Sequence, residues 1–301
     1  MGLLSYIRSA YEGDESEHTD LREMEKHIEL CSSCDACSPE WEAEVARDTQ
    51  VFARLKIERE ASLYGTSKPA SVHFVVPTSQ MDWAHSACDE RPGSVQQRVA
   101  AWVAQQDAGP DGMPMRCSVS SQPIDILDVE VMRGHKNNVL ILPHFIKLVG
   151  LTADRVEQVL DELLPLLRAN DMPALLARPD IWECPEDSFI FLCSHTTRDK
   201  RCGITAPVLR KHICAHLQTH GLYRDVSDAR PHGCTVAFVN HVGGHKYSAN
   251  AVIFLKRSRT MLWLGRVSPV HAEPIVKHLL LPAVPQLPFP ENVRCVRKYD
   301  F

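Results

Sequence analysis

The sequence predicts an α/β protein in which one unit, ordered strand, helix, strand, hairpin, helix, is used twice. Three observations carry that prediction. Residues 137–164, NNVLILPHFIKLVGLTADRVEQVLDELL, lie over residues 250–280, NAVIFLKRSRTMLWLGRVSPVHAEPIVKHLL, with the hairpin, the Gly150/Gly265 position and the Thr152/Ser268 helix cap in step. SVHFVV at 71–76 lies over SFIFLC at 188–193, both short β-rich runs. Gly134-His135-Lys136 likewise mirrors Gly244-His245-Lys246.

Taken in order, residues 1–67 read as a helical extension. DLREMEKHIEL (20–30) has an apolar face at Leu21, Met24 and Ile28, and a second helix starts at Pro39 and runs to about residue 60. The first unit, 68–167, has a strand at 71–76 and a helix at 94–106 with Val95, Val99 and Val103 on one face. Strands are expected at 116–120, 124–129, 139–142 and 145–149, then a helix over 152–167 with Val156, Val159, Leu160 and Leu163 inward. A Pro/Ala-rich linker spans 168–186. The second unit, 187–282, has a strand ending at Cys193, a helix at 206–220 and a strand ending at His241. A hairpin (251–256 and 260–266) and a last helix (269–281) complete it. The Pro-rich tail 283–301 is expected to run over the surface. A sheet covered by two helices in this order is what a thioredoxin-like sandwich requires, so two such lobes are expected.

Composition narrows the function. The 301 residues carry a net charge of −5, which gives no global attraction for nucleic acid. No apolar stretch reaches the roughly 18–20 residues of a membrane span. Neither a Rossmann glycine fingerprint nor a P-loop is present. Eleven cysteines with no secretory leader argue for metal or redox chemistry over a disulfide framework. Glu12, Asp14, Glu15, Glu17 and Asp20 make the N-terminal stretch too acidic for a mitochondrial presequence, so a cytoplasmic location is expected, with the mitochondrion as the alternative.

Two thiol-bearing stretches stand out. Cys31-Ser-Ser-Cys34-Asp-Ala-Cys37 places three thiols on one turn without an obvious fourth ligand; it reads as a second metal site or as a thiol-rich turn. The other stretch has Cys193 and Cys202 around a basic loop, FLCSHTTRDKRCG, and His241 and His245 around Val-Gly-Gly, FVNHVGGHKY. Each pair closes a strand, so both are expected at one sheet edge. Two thiolates and two imidazoles suit zinc or an iron–sulfur cluster. The His pair has protease-helix spacing, but Gly243 and Gly244 disfavour a helix by about 1 kcal/mol each, and no Glu follows His241. Cys-x8-Cys is wider than a zinc knuckle. In the first unit Val76 and Val131 stand where Cys193 and His241 stand in the second, so that unit is expected to be degenerate, with Cys88 and His135 as relics or core residues.

Cys-x8-Cys followed by His-x-Gly-Gly-His inside a thioredoxin-like domain resembles the bis-histidinyl [2Fe–2S] ferredoxins of the fungal sucrase/ferredoxin-like family. The resemblance covers about 188–281 in motif detail. It implies that Cys193 and Cys202 bind one iron, that His241 and His245 bind the other, and that the protein carries single electrons in redox homeostasis or in resistance to redox-active compounds. Histidine ligation leaves an oxidised cluster with about zero net charge, against about −2 with four thiolates, which raises the potential and couples reduction to imidazole protonation. The implied electron donor and acceptor are unknown. Tyr299-Asp300-Phe301 resembles the aromatic-ended tail by which cytosolic iron–sulfur clients meet the assembly machinery.

Two other readings stay open: a structural Cys2His2 zinc module, and a thiol oxidoreductase using Cys31, Cys34 and Cys37. Arg198, Lys200 and Arg201 read as a docking patch for an acidic donor or as a solvated loop, and Lys246 as a support for the site. His195, Cys184, Cys214 and Cys234 read as core or surface residues, and His212, His216 and His220 as a polar helix edge rather than a metal stripe.

Overall fold

The computed structural model describes residues 15–31, 39–109, 112–225, 228 and 230–300. Cys34 and Cys37 of the thiol run, and Phe301, lie outside the described residues.

Helix α1 (Glu15–Glu25) leads into a two-residue strand, β1 (Glu29–Leu30), and α2 (Pro39–Ala53) follows. The first unit runs β2 (His73–Pro77), α3 (Val95–Gln105), β3 (Arg116–Ser120), β4 (Lys136–Leu142), β5 (Ile146–Thr152), α4 (Val156–Ala169) and β6 (Ile181–Glu183). The second runs β7 (Ser188–Cys193), α5 (Lys200–Thr219), β8 (Cys234–Val239), β9 (Ala251–Leu255) and β10 (Thr260–Leu264). It closes with an α-helical turn, Ala272–Pro274, continued by a π-helical turn, Ile275–Leu280. Strands β11 (Gln286–Leu287) and β12 (Val293–Lys298) come last.

Ten of the strands form one sheet in the order β12-β10-β9-β7-β8-β3-β2-β4-β5-β6, while β1 pairs with β11. In each half one strand pairs parallel with one neighbour and antiparallel with the other: β2 with β3 and β4, β7 with β8 and β9. Parallel partners need a crossover, and α3 and α5 supply it. The halves meet where β3 runs antiparallel to β8 at Ser120↔Val239. Strands β2, β7, β9 and β10 are buried along their whole length, which explains their unbroken apolar runs. Helix α4 buries Val156, Val159, Leu160 and Leu163, the expected stripe. The result is a mixed α/β fold with a large mixed sheet under helices, consistent with a thioredoxin-like arrangement.

The two units share one continuous sheet. Several expectations are corrected. The supposed linker 168–186 carries a helical turn, Met172–Leu176, and edge strand β6 paired to β5. The supposed surface tail supplies β12, which pairs with β10 and buries Val293, Cys295 and Val296. Residues 124–129 are not a strand. Ile126 and Leu127 stand exposed, and Asp128 caps a short helix, Val129–Met132, by accepting the Glu130 and Val131 N–H groups; the side-chain cap outcompetes β propensity there. Helix α2 ends at Ala53, short of residue 60. Helix α5 starts at Lys200, so Cys202 lies in its first turn rather than in a loop. Among the described residues no helix is long and apolar enough to cross a membrane.

Candidate metal centre

Cys193 ends β7 in the middle of the sheet. Its N–H donates to Asn250 O (3.1 Å), and the N–H groups of His195 and Val242 bond its sulfur. Cys202 sits at the start of α5, capped by Asp199, whose Oδ1 accepts the Arg201 N–H (2.9 Å). The helix N-terminus favours a thiolate. Ser248 Oγ lies 3.4 Å from Cys202 Sγ. His241 follows β8 by two residues. Its N–H donates to His195 Nδ1 (3.1 Å), which leaves His195 Nε2 to donate to Trp83 O (3.0 Å) and fixes the tautomer.

These elements bring Cys193, Cys202 and His241 together, with their ligand atoms all within 4.8 Å of one another. Cys193 Sγ is 4.0 Å from His241 Nδ1. His245 stands just outside that group, its Nδ1 3.5 Å from His241 Nε2. Its side chain is 46% exposed, and its Nε2 lies 4.0 Å from Asp199 Oδ2. Gly243 and Gly244, at φ of 95° and 73°, turn the chain between the two histidines and rule out a helix there.

The electrostatics single out one thiol. The hydrogen bond from Cys193, helped by His241 and Ser248, draws Cys202 down to about 5 against its burial, while Cys193 is held well above the ordinary thiol range. Elsewhere burial pushes the Cys184, Cys234 and Cys295 thiols up to about 12, so they are inert at neutral pH.

The first half of the sheet clamps this centre, a contribution with no local signature in the sequence. Ser194 Oγ donates to Met81 O (2.6 Å), and Asp82 accepts from the Thr197 N–H (3.1 Å) and Thr197 Oγ1 (2.8 Å). Arg198 Nη1 reaches His85 (2.8 Å). Partners more than a hundred residues apart leave no local pattern; only His195, between Cys193 and Cys202, carried a hint, and it is a buried support for His241. Gly203 packs so closely that a Cβ would lie 2.0 Å from Thr196 Oγ1.

Other candidates fall elsewhere. Arg201 is committed to Asp199 (2.7 Å) and Lys56 O (2.7 Å), and Lys246 Nζ lies 4.8 Å from the Tyr247 ring. His212 is buried and bonded to Asp48 Oδ2 (2.9 Å), and His216 is buried too, so the expected polar helix edge of α5 lies partly in the interior. Cys31 Sγ lies 3.6 Å from His278 Nδ1. In the first unit His135 pairs with Glu130 (3.1 Å), and the Cys88 and Cys117 thiols bond each other. Tyr299 is buried, its hydroxyl donating to Ala70 O (2.7 Å), while Asp300 is exposed.

Comparison with known proteins finds several relatives of the chain. The chain is 49% identical to Actin patches distal protein 1 of Saccharomyces cerevisiae over 303 residues, covering 96% of each chain. It is 32% identical to Altered inheritance of mitochondria protein 32 of Clavispora lusitaniae over 143 residues, 46% of this chain and 47% of that one. The protein of the same name from Debaryomyces hansenii is 34% identical over 93 residues, 31% of this chain and 30% of that one. No solved structure matches. The sucrase/ferredoxin-like family model matches residues 63–295, from just before β2 into β12, and the chain belongs to that family.

Proposed function

We propose that this chain carries single electrons on a [2Fe–2S] cluster held by Cys193, Cys202, His241 and His245. The observation that carries the reading is the convergence of Cys193, Cys202 and His241 within 4.8 Å, with His245 Nδ1 3.5 Å from His241 Nε2. The donors fit the group: a thiol drawn down to about 5, a second sulfur already bonded by two amides, and two imidazoles on a glycine loop. When bound, such a cluster supplies a one-electron couple whose potential lies above the all-cysteine value.

The chain's own residues set direction and access. Cys193 and Cys202 are buried at the inner side and exclude water, whereas His245 is exposed, so redox partners meet the centre at the histidines. Ring nitrogens not used as ligands are the atoms that would take up a proton with the electron. A midpoint potential that stays flat from neutral to alkaline pH would remove that part of the reading.

The same three atoms within 4.8 Å also suit a single tetrahedral ion, which makes a structural zinc module the second reading. The purified chain decides between them. A red-brown protein containing iron and acid-labile sulfide supports the cluster; a colourless protein with stoichiometric zinc overturns it. The relatives' names concern actin patches and mitochondrial inheritance, and a role in redox homeostasis rests on the resemblance. With Tyr299 buried, the tail would meet the assembly machinery through Asp300 and Phe301. Full iron loading in cells after deletion of Phe301 would end that idea.

A further inference from the structure

Strand β12 places a cation against the His241–His245 loop. Arg294 is 3% exposed, and its guanidinium bonds four neutral oxygens. Nε donates to Thr66 Oγ1 (3.1 Å) and Nη2 to Thr66 O (3.0 Å); Nη1 donates to Gly243 O (2.8 Å) and Asn250 Oδ1 (2.7 Å). The Tyr247 and Trp263 rings lie 5.5 and 5.0 Å from its central carbon. Among the described residues no carboxylate pairs with it, and the anionic forms it would meet are those of Cys295, Tyr247 and Cys193. Arginine stays protonated even when buried. A buried cation without a counter-charge is strongly disfavoured, so its retention here calls for an anion close by. Burial pushes the Cys295 thiol up to about 12, so it carries no charge at pH 7, whereas thiolate ligands at Cys193 and Cys202 would be anionic.

The same guanidinium ties together both ligand-bearing segments. Gly243 O lies inside the His241–His245 loop. Asn250 completes the link: its Nδ2 donates to Gly244 O (3.1 Å) and its carbonyl accepts the Cys193 N–H (3.1 Å). A Cβ at Gly244 would lie 2.4 Å from Arg294 Nη2, so the glycine is where the loop closes on the arginine.

We propose that Arg294 is a positioning residue and the fixed counter-charge of the centre, holding the His241–His245 loop against the Cys193 strand and favouring the more negative, reduced state. This rests on the cluster reading of the site. The test uses the full iron-loaded chain and compares wild type, Arg294→Gln and Arg294→Lys by midpoint potential, rate of iron release to a chelator, and thermal unfolding.

Arg294→Gln removes the charge and is expected to shift the reduction equilibrium about tenfold toward the oxidised state, a potential about 59 mV lower for one electron. Arg294→Lys keeps the charge and loses the fork. Its equilibrium should stay within about twofold of wild type while iron leaves several-fold faster. Should Arg294→Gln fail to fold, Thr66→Asp sets a carboxylate against the guanidinium and is expected to lower the potential in the same sense. A charge-removing or charge-neutralising variant with wild-type potential overturns the counter-charge role, and unchanged release rates overturn the positioning role. A wild-type chain that holds zinc and no iron overturns the cluster reading and the charge role with it; faster zinc release from Arg294→Gln would then support positioning, and equal release would overturn it.

Discussion

The two halves of the sheet run through the same strand order and differ in what their strand ends carry. In the second half β7 ends on Cys193, α5 carries Cys202 in its first turn, and His241 follows β8. In the first half β2 ends on Val75, Val76 and Pro77, α3 opens on Ser94 and Val95, and His135 is spent on Glu130. A scaffold of this kind therefore does not make a centre by itself. Cys193, Cys202 and His241 converge only in the second half, with His245 beside them, and the first half serves through Met81, Asp82 and Trp83, which hold the cysteine loop from outside.

The largest effect should come from a matched pair of serine substitutions. Cys202→Ser is expected to abolish iron retention, while Cys88→Ser in the first half leaves iron content unchanged. Iron assayed per chain checks this, and equal loss in both would erase the asymmetry between the halves. His245→Cys should keep a cluster yet lower its potential by more than a tenfold shift in the reduction equilibrium, because an anionic thiolate replaces a neutral ring. A redox titration reads it, and an unchanged potential would remove His245 from the ligand set.

The glycines give a finer contrast. Both Gly134 and Gly244 have positive φ, but a Cβ would meet Ser94 at 3.1 Å in the first case and the Arg294 guanidinium at 2.4 Å in the second. Gly244→Ala should cost about 2–3 kcal/mol and weaken metal retention. Gly134→Ala should cost about 1 kcal/mol and leave retention alone; urea unfolding with iron assay separates the two.

Acid should affect both halves alike. Burial, with Arg116, lowers His73 to about 3, and burial lowers His271 to about 4. Both rings stay neutral in the fold while the unfolded chain takes up protons below about pH 6.5. Stability is therefore full above that pH and falls as pH drops toward 4, by about 1.4 kcal/mol per unit per histidine. Urea midpoints measured from pH 7 to 4.5 check the slope. A further modest effect is expected from Asp82→Ala, which removes the bonds to Thr197 at about 1–2 kcal/mol and should speed iron release with little change in potential.

What was legible in the sequence was local. Cys-x8-Cys and His-x-Gly-Gly-His each lie within one short stretch of chain, and the apolar runs of β7 to β10 announce a buried sheet. What escaped was held by distant partners. Asp82 reaches Thr197 from the other half, and no spacing rule links them. Strand β12 reads VRCVRK, whose charges suggest a surface; it is buried because Arg294 finds Thr66, Gly243 and Asn250. The helical start at Asp199 is hidden in a basic run that lacks the acids usual in a first turn, and only the Asp199 N-cap, which accepts the Arg201 N–H, marks it.

The most direct measurement is the iron, sulfide and zinc content of the purified full-length chain, read beside its visible spectrum. The account expects about two irons and two sulfides per chain, with visible absorption that bleaches on reduction. One zinc, no sulfide and no visible band would contradict it.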